Sequence, residues 1–207
     1  MLKILGKASS INVRKVLWTC AQIGLPFERE DWGGGFRSTN EAPLLRLNPN
    51  ALVPVLLDED FVLWESNTIC RYLALKAGRT DLLPSEPRAR ASVEQWMDWQ
   101  ATDLNTAWRY AFMALVRKSA SHTDPAQIDA SIAAWNALMS ILDRQIGSTN
   151  AHVAGARFTL ADIVVGVSVN RWNLTPFAKP ELAEIHRYWE RLASRAGFKE
   201  HVANGLP

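Results

Sequence analysis

The chain has 207 residues, 48% of them hydrophobic, and a formal charge of +2, which leaves enough apolar content for a substantial core in one unit or two small domains. So small a charge, without a basic run or an aromatic ladder, argues against a nucleic-acid partner, and the lack of a membrane-length apolar run or a signal-like start points to a cytoplasmic enzyme or binding protein with no membrane partner. Two cysteines without a C-x-x-C and four scattered histidines support neither a zinc site nor a redox dithiol, so no metal is expected.

Residues 2–6 form a short apolar run that predicts a strand. The helix after it carries Val13, Val16, Leu17, Cys20 and Ile23 at helical spacing and stops at Gly24. Cys20, and Cys70 further on, fall on apolar helical faces, where reduced core cysteines are expected. Residues 27–31 can form a second strand, 32–35 a loop and 41–47 a short helix. The stretch 48–66, NPNALVPVLLDEDFVLWES, then reads as turn, strand, turn, strand and helix start. Val53, Val55, Leu56 and Leu57 make one β-rich run, Asp58, Glu59 and Asp60 a three-residue polar connection, and residues 61–64 a second run. Pro54 would remove a ladder hydrogen bond, so it marks an edge, a bulge or a cis bond; if cis, the residue before it can offer its own N–H and C=O to a ligand.

Ile69, Tyr72 and Leu73 place the start of the next helix at Glu65 and Ser66. Residues 84–87 break the helical pattern as a linker would, and no convincing strand follows. Val93, Met97, Gln100, Leu104, Trp108 and Leu115 predict one long helix; Ile128, Ile132, Trp135, Met139, Leu142 and Ile146 predict another. Residues 163–169 are apolar nearly all round, which predicts a central buried helix, opened by Thr159 and Asp162 at capping-box spacing with Phe158 and Ile163 able to staple it. The expected division is residues 1–80, a linker over 81–87, and an all-helical unit over 88–207.

Several residues could carry chemistry, each with a plainer alternative. A helix start binds anions through its free N–H groups, so Glu65 and Ser66 could receive a carboxylate, although a simple cap explains the same pair. Ser10 and Asn12 begin the first helix, in a loop after a strand, as caps or as donors to a reacting group. On the predicted long helix Asn105, Arg109 and Phe112 share a face, and Arg109 could bind an anion or stabilise developing negative charge, or be a solvated charge beside the core. Arg37 follows a glycine run, where an exposed loop arginine is the plainer reading. Trp32 and Trp108 are candidate pocket walls, although among nine tryptophans a core position is the plainer reading for either one.

Leu45, Asn48, Pro49, Val53, Pro54 and Leu56, followed by Leu63, Glu65 and Ser66, form a spaced set that resembles the glutathione-binding half of soluble glutathione S-transferases, and the likeness extends over nearly the whole chain. Ser10, Asn12 and Val13 in an S-x-N-V, with Trp96, Met97, Asp98 and Trp99 in a W-M-D-W, resemble bacterial members. The resemblance implies an α/β thioredoxin-like N-terminal domain plus an all-α C-terminal helical domain. It further implies glutathione as co-substrate, held by Asn12, Arg37, Leu52, Val53, Pro54, Glu65 and Ser66, and a small-molecule electrophile in a pocket between the domains. By the same resemblance Ser10 meets the sulfur with Asn12 as the competing activator, Arg109 lies over the sulfur, Arg37 reaches the glycine carboxylate, and the protein is a homodimer in which the partner's Asp98 completes the site. Two positions depart from the pattern. Ala51 stands where glycine is usual and Leu52 where a long polar side chain is common, so Asn50 is expected to take any positive φ and Leu52 to offer backbone contacts only. The expected activity is activation of the thiol for attack on an electrophile, the alternatives being glutathione-dependent disulfide or peroxide reduction, or a transferase-like binding module without turnover.

Overall fold

The computed structural model describes residues 1–207. The first part of the chain runs β1 (Leu2–Leu5), α1 (Ile11–Ile23), β2 (Phe27–Glu30), α2 (Ala42–Leu45), β3 (Val55–Asp58), β4 (Phe61–Trp64) and α3 (Ser66–Lys76). The strands form one sheet in the order β2-β1-β3-β4, with β1 parallel to β2 and the other neighbours antiparallel, the expected thioredoxin-like arrangement.

Alternation along each strand sends successive side chains to opposite faces. Ile4 and Leu56, opposite each other in the ladder, enter the main core with Val16 of α1 and Ile69 and Leu73 of α3. Leu5 and Val55 turn the other way, onto Leu44 of α2 and Trp32. Trp32 is therefore a core residue, the plainer of its two readings, and not a pocket wall, its indole buried on the second face of the sheet and its Nε1 donating to Glu30 at 2.9 Å.

The hairpin is tighter than its sequence suggests. Asp58 pairs with Phe61, so Glu59 and Asp60 alone make the connection, with Glu59 at φ 58°. Tyr72 and Lys76 of α3 hold Asp58 in the strand by donating to its carboxylate.

Beyond residue 76 every element is helical: α4 (Pro87–Trp99), a π-helical turn (Gln100–Leu104), α5 (Asn105–Leu115), α6 (Pro125–Thr149), α7 (Leu160–Leu174), α8 (Ala183–Leu192) and α9 (Phe198–His201). Pro87 is the first residue of α4, where a missing N–H removes no intrahelical bond. The long helix expected through Leu115 is interrupted at its centre by the wider turn, which coincides with Gln100, a fully buried side chain bonded to Lys15, Asn105 and Ser168. No helix is long and apolar enough to cross a membrane.

As its sequence predicts, α7 is central: every residue from Leu160 to Trp172 is buried, and the helix touches α1, α4 and α8. Gly166 permits the close approach, since a Cβ there would lie 2.8 Å from Leu192 and 3.1 Å from Trp18. At its start Asp162 accepts from the Thr159 N–H at 2.8 Å, completing the capping box, and also from the Val153 N–H at 2.9 Å and the Tyr188 hydroxyl at 3.0 Å. The C-terminal segment folds back onto α1, where the buried guanidinium of Arg14 donates to the carbonyls of His201 (2.7 Å), Val202 and Leu206 (2.9 Å).

Candidate active site

The loop from β1 delivers Ser10 to the N-cap of α1 with extended backbone (φ −78°, ψ 126°), yet its hydroxyl makes no capping bond. The Asn12 amide, in the first turn, has a buried Oδ1 without a partner. The capping role that each residue could have served is therefore not taken up, and both polar groups are available to a ligand. A thiolate needs a donor; a half-turn of the Asn12 amide would present its NH₂ where the oxygen now lies.

The second wall is the turn into β3. Asn48, buried, donates from Nδ2 to the Leu52 carbonyl at 2.9 Å and accepts at Oδ1 from the Asn50 N–H and Nδ2. With Asn50 held in this way the positive φ falls on Ala51 (54°), not on Asn50 as expected. The Leu52 carbonyl is occupied by Asn48, and the Leu52 side chain is 61% exposed. The Val53–Pro54 bond is cis, and neither the N–H nor the C=O of Val53 is bonded within the chain. Ser66 is buried at the start of α3, whose first-turn N–H groups have no intrahelical partners. Glu65 precedes it at φ 72°, ψ 107°, a conformation costly for a residue with a side chain and typical of functional turns.

Asn12, Leu52, Val53, Pro54, Glu65 and Ser66 line one small cavity of about 40 Å³. Asn12, Glu65 and Ser66 also border a cleft of about 220 Å³ with Lys15, Asp98 and Asn105. A larger cavity of about 520 Å³ lies between the sheet unit and the helices, with Ser10, Leu52 and Val53 on one side and Trp108, Arg109 and Phe112 among the residues on the other. Leu52 and Val53 thus form a wall common to the small and large cavities. Six of the predicted site residues meet in the first, and Ser10 and Arg109 meet in the third.

Arg37 lines none of these cavities. Its guanidinium lies 3.9 Å above the Trp32 ring and pairs with Glu30 (3.0 Å) and Glu41 (3.3 Å), so two carboxylates and an indole hold it on the outer side of the sheet. Asp98 is exposed and paired with Arg71 at 2.6 Å, at the edge of the cleft in its own chain. Asn105 is fixed by its neighbours, its Oδ1 accepting from Gln100 and from Trp108 Nε1 (3.0 Å).

Lys15, absent from the sequence reading, is the fully enclosed cation of this region. Its ammonium donates to Gln100 Oε1 (2.6 Å) and Asn67 Oδ1 (3.2 Å), and Asn67 in turn donates to the Met97 carbonyl (2.7 Å). Burial lowers its pKa to about 7, with nearby Arg171 pushing the same way and Cys70 and Glu65 opposing. The signal was present in the Arg14-Lys15 pair, which stands inside a helix apolar on both sides of it. Burial also pushes the thiols of Cys20 to about 12 and Cys70 to about 11, which leaves both unreactive.

A free Val53 backbone before Pro54, an open α3 start and an uncommitted amide on α1 thus face one another across the small cavity. The family profile "Glutathione S-transferase, N-terminal domain" matches residues 1–75. Over 207 aligned positions the chain is 37% identical to the glutathione S-transferase GstB of Escherichia coli, with 98% of each protein covered. The chain belongs to the glutathione S-transferase family. Its structure is similar to that of a theta class glutathione S-transferase from Xanthomonas axonopodis pv. citri with glutathione bound, at 32% identity and a TM-score of 0.90, covering 100% of this chain and 99% of that one. A glutathione transferase from Populus trichocarpa gives a TM-score of 0.88 at 27% identity, with all of both chains covered. The transferase architecture accounts for both parts of the fold, a thioredoxin-like sheet unit and a helical C-terminal unit.

Proposed function

We propose that glutathione lies along the turn into β3, its peptide bonded to the N–H and C=O of Val53 and its γ-glutamyl carboxylate at the start of α3 with Ser66, which is how glutathione becomes the co-substrate. The Xanthomonas relative, with glutathione bound, supports this reading. The sulfur must face the electrophile. Ser10 lines the large cavity and Asn12 does not, so Ser10 is the activating donor and Asn12 holds the co-substrate.

A free thiol with a pKa of about 8.5 is only a few per cent ionised near pH 7. Lowering the pKa by about 2 units takes about 2.7 kcal/mol of preference for the anion. One hydrogen bond to the charged sulfur contributes about 1.5–3 kcal/mol and the α1 N-terminus about 0.3–2 kcal/mol, so the two together suffice. The thiol proton leaves to solvent; the thiolate then attacks the electrophilic carbon while Arg109 faces the charge on the departing group. Enclosed, unreactive cysteines favour this reaction over thiol–disulfide exchange on the protein's own sulfur. In this reading the protein is a cytoplasmic homodimer of the Ser/Asn bacterial type that detoxifies small electrophiles, with the partner's Asp98 closing the cleft beside Ser66.

The observation that carries the proposal is the free hydroxyl of Ser10 at the wall shared with Val53. It is tested by ultraviolet titration of the bound thiolate in the wild type, Ser10→Ala and Asn12→Ala. The expected result is a sulfur pKa depressed by about 2 units and restored by Ser10→Ala alone. Restoration by Asn12→Ala instead would transfer the role to Asn12, and an unshifted wild-type pKa would remove the transferase mechanism.

A further inference from the structure

The large cavity holds more positive charge than thiol activation uses. Lys7, Arg109, Arg117 and Arg171 all line it, no carboxylate does, and none of the four takes part in an ion pair. Arg171 distinguishes this from a solvated basic surface. It projects from the central helix α7, is 3% exposed, and its buried Nε has no hydrogen-bond partner. Phe112 and Trp108 enclose the guanidinium at 3.9 and 4.4 Å. Aromatic faces attract a cation, but they leave its five N–H donors without acceptors. The other buried cations of this protein are supplied with acceptors: Arg14 has carbonyls of the C-terminal segment and Lys15 has two amide oxygens.

We propose that the electrophile accepted by this cavity carries a permanent negative charge, a carboxylate or a comparable oxyanion, held by Arg171 at the inner wall and by Arg117 and Lys7 nearer the opening, with Arg109 left to face the departing group. The inference rests on the transferase reading above and narrows its substrate class. Ile11, Met113 and the two aromatic rings provide the apolar wall for the body of the molecule. With an aryl halide as the electrophile, the thiolate forms the C–S bond, the C–Cl bond breaks, and chloride leaves with the bonding pair; the anionic substituent takes no part and serves only as the handle.

The test compares 4-chloro-3-nitrobenzoate with its methyl ester, each kcat/KM divided by the uncatalysed rate with glutathione, because the ester activates the ring more strongly. The benzoate is expected to be favoured at least tenfold. Arg171→Met should cut that preference by about 10- to 100-fold, the value of a charged hydrogen bond to an anion. Arg117→Gln, at an exposed position where folding is not at risk, should cut it less. An ester used as well as the benzoate, or a preference unmoved by both substitutions, overturns the inference and leaves the transferase reading standing. Tryptophan-fluorescence titration with the two glutathione conjugates separates the remaining case: tighter binding of the carboxylate conjugate without turnover of either halide keeps the anion site and overturns the transferase reading, and equal binding overturns the anion site.

Discussion

A buried amine destabilises a fold unless acceptors surround it, and the two amide oxygens on Lys15 only partly offset the loss of water. Its folded-state pKa of about 7 lies below the ordinary 10.5. Below pH 7 both folded and unfolded chains hold the proton and the full cost of the buried charge is present. Between about 7 and 10.5 the unfolded chain binds it more readily, so stability rises with pH across that interval. The expected result is an unfolding free energy that climbs by a few kcal/mol from pH 7 to 10 relative to Lys15→Met, read from urea transitions; a constant difference would mean that the proton is held equally in both states. Ala51 offers a second test at this scale. A left-handed residue with a Cβ costs about 1–2 kcal/mol and glycine's added chain entropy about 0.4–1, so Ala51→Gly should stabilise by about 0.5 kcal/mol in the same assay. The sequence marks Lys15 as a charge within an apolar helix and Ala51 as a departure from glycine, but neither the burial of the one nor the positive φ of the other. Lys15 lies beside an apolar stripe, where a helix alone would let it reach solvent, and α3, α7 and the π turn that enclose it are encoded far along the chain.

At the scale of elements, the start of α7 shows why some features were legible. A capping box is made by residues three apart, so Thr159 and Asp162 announce it without tertiary information. What spacing does not reveal is the inequality between the two. Thr159→Ala removes one cap and should cost about 1 kcal/mol. Asp162→Ala strands the Val153 and Thr159 amides and the Tyr188 hydroxyl inside the core, at about 1–3 kcal/mol for each buried group left unsatisfied, and should cost at least about 3 kcal/mol in denaturant titrations. Equal losses would show that the carboxylate is no more than a cap. The sheet was readable on the same local terms, from short apolar runs and their turns. Arg37 was not, because the carboxylates that divert it sit on β2 and beside α2.

For the molecule as a whole, the sequence singled out six residues that the fold gathers around one small cavity, but not how the space around them is divided. Ser10 and Asn12 are two positions apart, yet a helix turns by about 100° per residue, so they open onto different cavities once α5 and α7 form the far wall. The cations of that wall come from the β1–α1 loop, α5, the segment after it and α7, and no local pattern brings them together. The Arg14 clamp on the other side of α1 has a consequence for synthesis. Its acceptors are carbonyls of residues 201, 202 and 206, more than 185 positions later. An emerging chain, which folds from its N-terminus while the ribosome still works, carries a guanidinium in α1 whose acceptors have not yet been translated. The sheet unit therefore leaves the ribosome with one flank of its first helix unfinished, and residues 201–206 can close that flank only after the helices from α4 to α8 have been made.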